Sequence, residues 1–280
     1  MNFRLLAFGN FKCLNQFVYD VYELQTDEKA VTYSTAPNGI VGVSIILSGK
    51  AEIFIGKEWQ RIPVVSVYGL IKKPDFIRIS PNFREIAIGF KPYFLQLLLQ
   101  QNMADVIQTK NLDARDVFKG IDALINKVYG AHSDVQILEA IEAFIAKQFN
   151  AQKIDLRLLE AMKLIYEDGL TNVAHIGEKI NLSTTSVRNL FNKGMGRPPK
   201  ELISILRMNK ILKSRPNPAM SLTDLCYQHG YFDQAHFIHE FKEVLGMTPS
   251  QYFNNQSLAF DFYNSGRWQG DIFDPKNHLK

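Results

Sequence analysis

The sequence predicts an α+β chain: a small β-barrel or sandwich with helices behind it, then an all-α part made of two copies of one helical unit. Three observations carry this. Short strand-like runs fill about the first 95 of the 280 residues, helical periodicity takes over from Pro92, and one spaced set of apolar, glycine and proline positions recurs 50 residues later near the C-terminus. At 46% hydrophobic and 21% charged residues, the chain has enough apolar material for real cores. No stretch approaches the roughly 18–20 apolar residues of a membrane span, and Met1 to Phe11 lacks the pattern of a secretory signal. The two cysteines, Cys13 and Cys226, are far apart, which excludes a disulfide framework and fits a cytoplasmic setting.

The strand-like runs are Val31 to Tyr33, Ile40 to Leu47, Ala51 to Ile55, Val64 to Tyr68 and Ile86 to Phe90. Proline and glycine punctuate them at Pro37, Gly39, Gly49, Gly56, Pro63, Pro74 and Pro81. Ile45 to Leu47 and Ala51 to Ile55, around Ser48-Gly49-Lys50, read as a hairpin. Helical spacing follows in Tyr93 to Gln101, Val117 to Val128 and Val135 to Phe149. The last has one apolar stripe, which suits either its own domain's core or a homodimer seam. Residues 150–153 read as a linker, giving domains 1–150 and 151–253 and an unassigned tail, 254–280. Asp155 then caps a helix that ends at Gly169.

The repeat carries the function. Val187, Phe191, Gly196 and Pro199 recur as apolar, glycine and proline positions at Phe237, Phe241, Gly246 and Pro249, an offset of 50. Val173 and Ile176 recur as Leu222 and Leu225 at 49, so one residue is inserted between the paired helices of the second copy. Each copy reads as helix, tight turn and capped helix. Asn172 or Thr171 opens the first, and Gly177 sits where its two helices would approach closely. Ser183 caps a helix from Thr184 to Lys193, stopped by Gly194. Ser221 with Asp224 reads as a capping box, Gly230 permits the turn, and Asp233 caps Gln234 to Leu245. Thr248 to Gln251 reads as a further helix start. This is the plan of a helix-turn-helix, whose second helix enters the major groove.

Charge supports nucleic acid over a packing repeat. The whole chain is only +4, but Lys179 to Arg215 holds nine basic residues against Glu201 alone, a net +8. A one-signed run around a reading helix suits phosphate binding. With Val187, Leu190 and Phe191 inward, the first reading helix presents Thr184, Thr185, Arg188, Asn189 and Asn192. Arginine reads guanine and asparagine adenine, so Arg188 and Asn189 are the leading base contacts, with Lys193, Arg197 and Arg207 beside them. The second presents Gln234, His236, His239 and Lys242, around Phe237 and Phe241 inward. From Pro216 to Phe253, Lys242 stands alone against four acids, so this unit starts from a repulsive field.

Gly230 to Tyr252, with its glycine–aromatic turn, Phe237-x-x-x-Phe241-Lys242 and Gly246-x-Thr248-Pro249-Ser250-x-Tyr252, resembles the signature of AraC/XylS-type transcription regulators. The resemblance covers about Asp155 to Phe253. It implies two helix-turn-helix units joined by a long helix, Pro199 to Lys213, reading successive major-groove segments of double-stranded promoter DNA, with RNA polymerase as a possible second partner of an activator. Gly69 to Pro74 and Ile88 to Pro92 resemble, more weakly, a cupin-like sensor, which implies a small-molecule effector or dimerisation. None of the six histidines precedes His132, so the metal-cupin ligand set is missing and no metal or other cofactor is expected. His236 and His239 are three apart without a cysteine, too little for zinc. No phosphate loop, nucleophile elbow or His-Glu-x-x-His occurs, and Asp113, Asp116 and Asp122 have no histidine partner, so no catalytic residue is assigned. The alternative is a cupin-like ligand-binding or enzymatic protein with a helical interaction module.

Overall fold

The computed structural model describes residues 1–35, 39–68, 74–91, 106, 111–148, 155–166, 168–213 and 221–254. The expected helix over 93–101, the 150–153 linker, most of the Gly69–Pro74 element and all but the first residue of the 254–280 tail lie outside them.

Among the described residues the N-terminal part forms two antiparallel sheets. Strands β1 (Asn2–Leu5), β2 (Val18–Gln25), β4 (Val41–Ser48), β7 (Val65–Tyr68), β9 (Arg84–Phe90) and β10 (Leu112–Asp113) form one, in the order β1-β2-β9-β4-β7-β10. Strands β3 (Val31–Ser34), β5 (Ala51–Ile55), β6 (Glu58–Arg61) and β8 (Phe76–Ile79) form the other, in the order β3-β8-β5-β6. Alternation sorts the larger sheet's side chains. Val43, Ile45, Ile86 and Ile88 point into a helical layer, whereas Ile46, Ala87, Tyr22 and Leu24 meet Ile53, Ile77 and Ile79 of the smaller sheet.

The hairpin read around Ser48-Gly49-Lys50 is corrected. β4 pairs with β7 and β9, and β5 with β6 and β8, so the chain crosses between sheets there. Gly49 makes that crossing at φ +80, where a Cβ would lie 2.6 Å from Ser80 Oγ. The true hairpin joins β5 to β6, with Ile55 opposite Glu58.

The helical layer consists of α1 (Lys12–Phe17), α2 (Ile121–Tyr129) and α3 (Asp134–Gln148). No side chain of its own caps α1. Glu142 of α3 does so instead, accepting from the Cys13 and Leu14 amides at 2.8 and 2.9 Å. Ile137, Leu138, Ile141, Phe144 and Ile145 of α3 are buried in this same core, so the α3 stripe packs on its own domain.

The C-terminal part is α4 (Leu156–Tyr166), α5 (Val173–Lys179), α6 (Thr184–Met195), α7 (Pro199–Lys213), α8 (Leu222–Gln228), α9 (Gln234–Leu245) and α10 (Pro249–Asn254). α7 serves two cores. Leu202, Ile203 and Leu206 join α4, α5 and α6 in the core that continues into the N-terminal part, while Met208, Ile211 and Leu212 pack with α8 and α9 in a separate one. Gly39 lies against α7 and α4: a Cβ on it would be 3.1 Å from Leu206 Cδ2 and 3.7 Å from the Tyr166 hydroxyl.

Candidate nucleic-acid interface

Both copies of the repeat are helix-turn-helix units, and their caps are those the sequence names. Asn172 Oδ1 accepts from the Ala174 and His175 amides at 2.9 and 3.3 Å. Ser183 Oγ accepts from Ser186 N at 3.2 Å, and Asp233 Oδ1 from His236 N at 2.7 Å. Ser221 and Asp224 form the reciprocal box, and those bonds hold the Asp224 carboxyl below its usual range. Thr248 and Gln251 form another reciprocal pair at the start of α10.

The turns match as well. Leu182 N donates to Gly177 O, and Tyr231 N to Cys226 O, in each case five residues back. Asn181 and Gly230 hold equivalent left-handed positions at φ 56 and 73. The inserted residue of the second copy is therefore Phe232, between buried Tyr231 and the cap Asp233; it is 88% exposed. One expected boundary moves. α6 runs on to Met195, with Gly194 buried inside it, and the left-handed stop is Gly196 at φ 66.

Thr184, Thr185, Arg188, Asn189, Asn192 and Lys193 are all exposed on α6, opposite the fully buried Val187 and Phe191. Leu190 is half-buried. On α9, Gln234, His236, His239 and Lys242 are exposed opposite Phe237 and Phe241. These ten residues form two outward polar faces on capped helices.

Arg197 and Arg207 do not belong to those faces. Arg197 is buried and paired with Glu201, so its charge is spent inside the fold. Arg207 is half-buried on α7, 3.6 Å from Glu240, and its guanidinium lies 5.0 Å from the Tyr231 ring centre. Burial raises the Tyr231 hydroxyl and lowers His229. Sequence spacing could not find Glu240 as the partner of Arg207, because they meet only when α9 packs on α7. Of the three aspartates that lack a histidine partner, Asp113 and Asp122 both pair with Arg115.

Residues 176–255 match the helix-turn-helix domain family. This segment is a helix-turn-helix domain. Over 84 residues the chain is 31% identical to the invasion protein InvF of Salmonella typhimurium, a stretch covering 30% of this chain and 39% of that protein. Over 80 residues it is 30% identical to the Msm operon regulatory protein of Streptococcus mutans, 29% of each chain. The chain thus spans well under half the length of these curated relatives. Among solved structures, ToxT of Vibrio cholerae O395 aligns at a TM-score of 0.42 and 17% identity, over 84% of this chain and 95% of that one.

Proposed function

We propose that the protein is a sequence-specific DNA-binding transcription regulator whose two readers, α6 and α9, enter successive major-groove segments. The observation that carries this is the pair of capped helices with exposed polar faces, both mounted on α7 in a helix-turn-helix domain. Thr184, Thr185, Arg188, Asn189, Asn192 and Lys193 make the contacts of the first reader, and Gln234, His236, His239 and Lys242 those of the second. Residues 151–253 act as the reader and residues 1–150 as the part that receives regulation.

A small-molecule effector acts at that N-terminal part. Support comes from Asp20, a carboxyl buried among its strands with no side-chain hydrogen bond among the described residues, where an uncompensated polar group is costly. The regulator works in the cytoplasm, as a homodimer and as an activator that contacts RNA polymerase. Among the described residues no helix is long and apolar enough to cross a membrane.

Selection of bound sites from random duplex DNA tests the reading. Enrichment of a two-part motif is expected, with a footprint of two patches roughly 34 Å apart on one face of the duplex. No enrichment over the starting pool would refute it.

A further inference from the structure

Glu240 occupies the position that Leu190 holds in the first copy, 50 residues earlier. Its side chain is only 13% exposed. The Ser204 hydroxyl of α7 donates to it, Arg207 Nη1 of α7 stands 3.6 Å away, and His236 Nε2 of α9 is equally distant. The Tyr231 ring lies under Arg207 and edge-on to His236, at 5.3 Å. This polar knot sits on the stretch of α7 where one core hands over to the other, between Leu202 and Met208.

Apolar packing is non-directional, so the contact of Met208 and Ile211 with α9 leaves rotation loosely defined. Hydrogen bonds and charge pairs are directional. A mostly buried ion pair contributes little net stability, and a role in fixing geometry explains it better. We propose that Glu240 is a positioning residue: it fixes the rotation of α9 on α7, and with it the half-site spacing that the two readers accept. This rests on the DNA-reading function above. On a duplex with about ten base pairs per turn, one added base pair swings the second site by roughly 35°, so a loosened α9 would tolerate shifted sites.

The test measures affinity of the full chain for its selected site and for versions with one base pair added or removed between the halves. The wild type should lose about tenfold at either shift. Glu240→Leu installs the side chain of the first copy and keeps the packing; it should lose less than about threefold, while binding an isolated first half-site as the wild type does. Ser204→Ala removes one donor without adding bulk and should change the profile in the same direction. A purely structural role would lower affinity equally at every spacing. If Glu240→Leu melts as the wild type does and keeps its sharp preference, the proposal is overturned; if Glu240→Leu fails to fold, an unchanged profile in Ser204→Ala overturns it. Failure of the wild type to bind any selected duplex would instead sink the DNA reading itself.

Discussion

Asp20 is the most exposed to consequence of any single residue in the N-terminal part, because it is a carboxyl with nowhere to put its charge. It is 6% exposed, and among the described residues no side chain bonds either oxygen, while the Gly89 backbone offsets only part of the burial. The missing side chain of Gly89 makes room for it, since a Cβ there would lie 2.4 Å from Asp20 Oδ1. Burial pushes its pKa from 3.8 up to about 7, and Glu85, bonded to Ser44 at 2.6 Å, is likewise pushed from 4.5 to about 7. With the folded value above the unfolded one, the unfolded chain gives up these protons first. Stability should therefore fall as pH rises from about 4 to 7 and level off above, by ~1.4 kcal/mol per unit of separation for each group. Glu23 works the other way. Hydrogen bonds from Arg4 and Arg84 outweigh its burial and lower its pKa, so its contribution is lost only as pH falls below about 4.5. Asp20→Asn should flatten the decline between pH 4 and 7 and melt several degrees above the wild type at pH 8. A variant that melts below the wild type at pH 8 would show that the charged form has a partner. Gly177 is the other informative single position. A Cβ on it would sit 2.4 Å from the Leu182 carbonyl oxygen, inside the first turn. Gly177→Ala should cost about 1–3 kcal/mol of stability, read by thermal or denaturant melting.

At the scale of elements, α3 shows what a periodic stripe can and cannot say. The spacing of Ile137, Ile141, Phe144 and Ile145 is legible, but a stripe does not name its partner, and here it is the helical layer under the larger sheet. Ile141→Glu or Phe144→Glu should therefore abolish cooperative melting by burying an unpaired charge. A folded monomer from either variant would restore the dimer-seam reading. The helix ends of the reader were legible because caps are local: Ser183, Ser221 and Asp233 each bond an amide three residues on. Strand β2 was not legible, since Asp20 and Glu23 lie inside a run whose every residue but the last is buried. β6, Glu-Trp-Gln-Arg, lacks the β-branched residues that mark a strand, and β8 lies between Pro74 and Pro81, which read only as punctuation. The β4–β5 misreading has the same root: a glycine turn between two strands does not reveal whether they stay in one sheet.

Across the whole molecule, the two readers are unequally placed and unequally charged. The first shares a continuous core with the N-terminal part, and Gly39 touches α7 there, so any signal from that part reaches α6 more directly than α9. The second stands on its own core. Charge follows the same division. The +8 of Lys179 to Arg215 already sets Glu201 against Arg197, but it still overstates what DNA would meet, because Arg207 is held by Glu240 from outside that stretch. Arg188 and Lys193 on α6 nevertheless remain exposed cations, whereas Lys242 on α9 is followed directly by the exposed Glu243. Each phosphate neutralised releases counterions and steepens the fall of log affinity with log salt by about 0.9. Lys193→Ala should thus reduce that slope by about 1 and weaken binding alike on all sequences. Lys242→Ala should change it less. Arg188→Ala should cost on the order of 1–3 kcal/mol and relax preference at one base pair, the mark of a base contact rather than a phosphate one. Titrations of the three variants over a range of salt, on the selected site and on a site mutated in its first half, separate these effects. If Lys242→Ala flattens the slope more than Lys193→Ala, the second unit holds the backbone and the first is not the dominant reader.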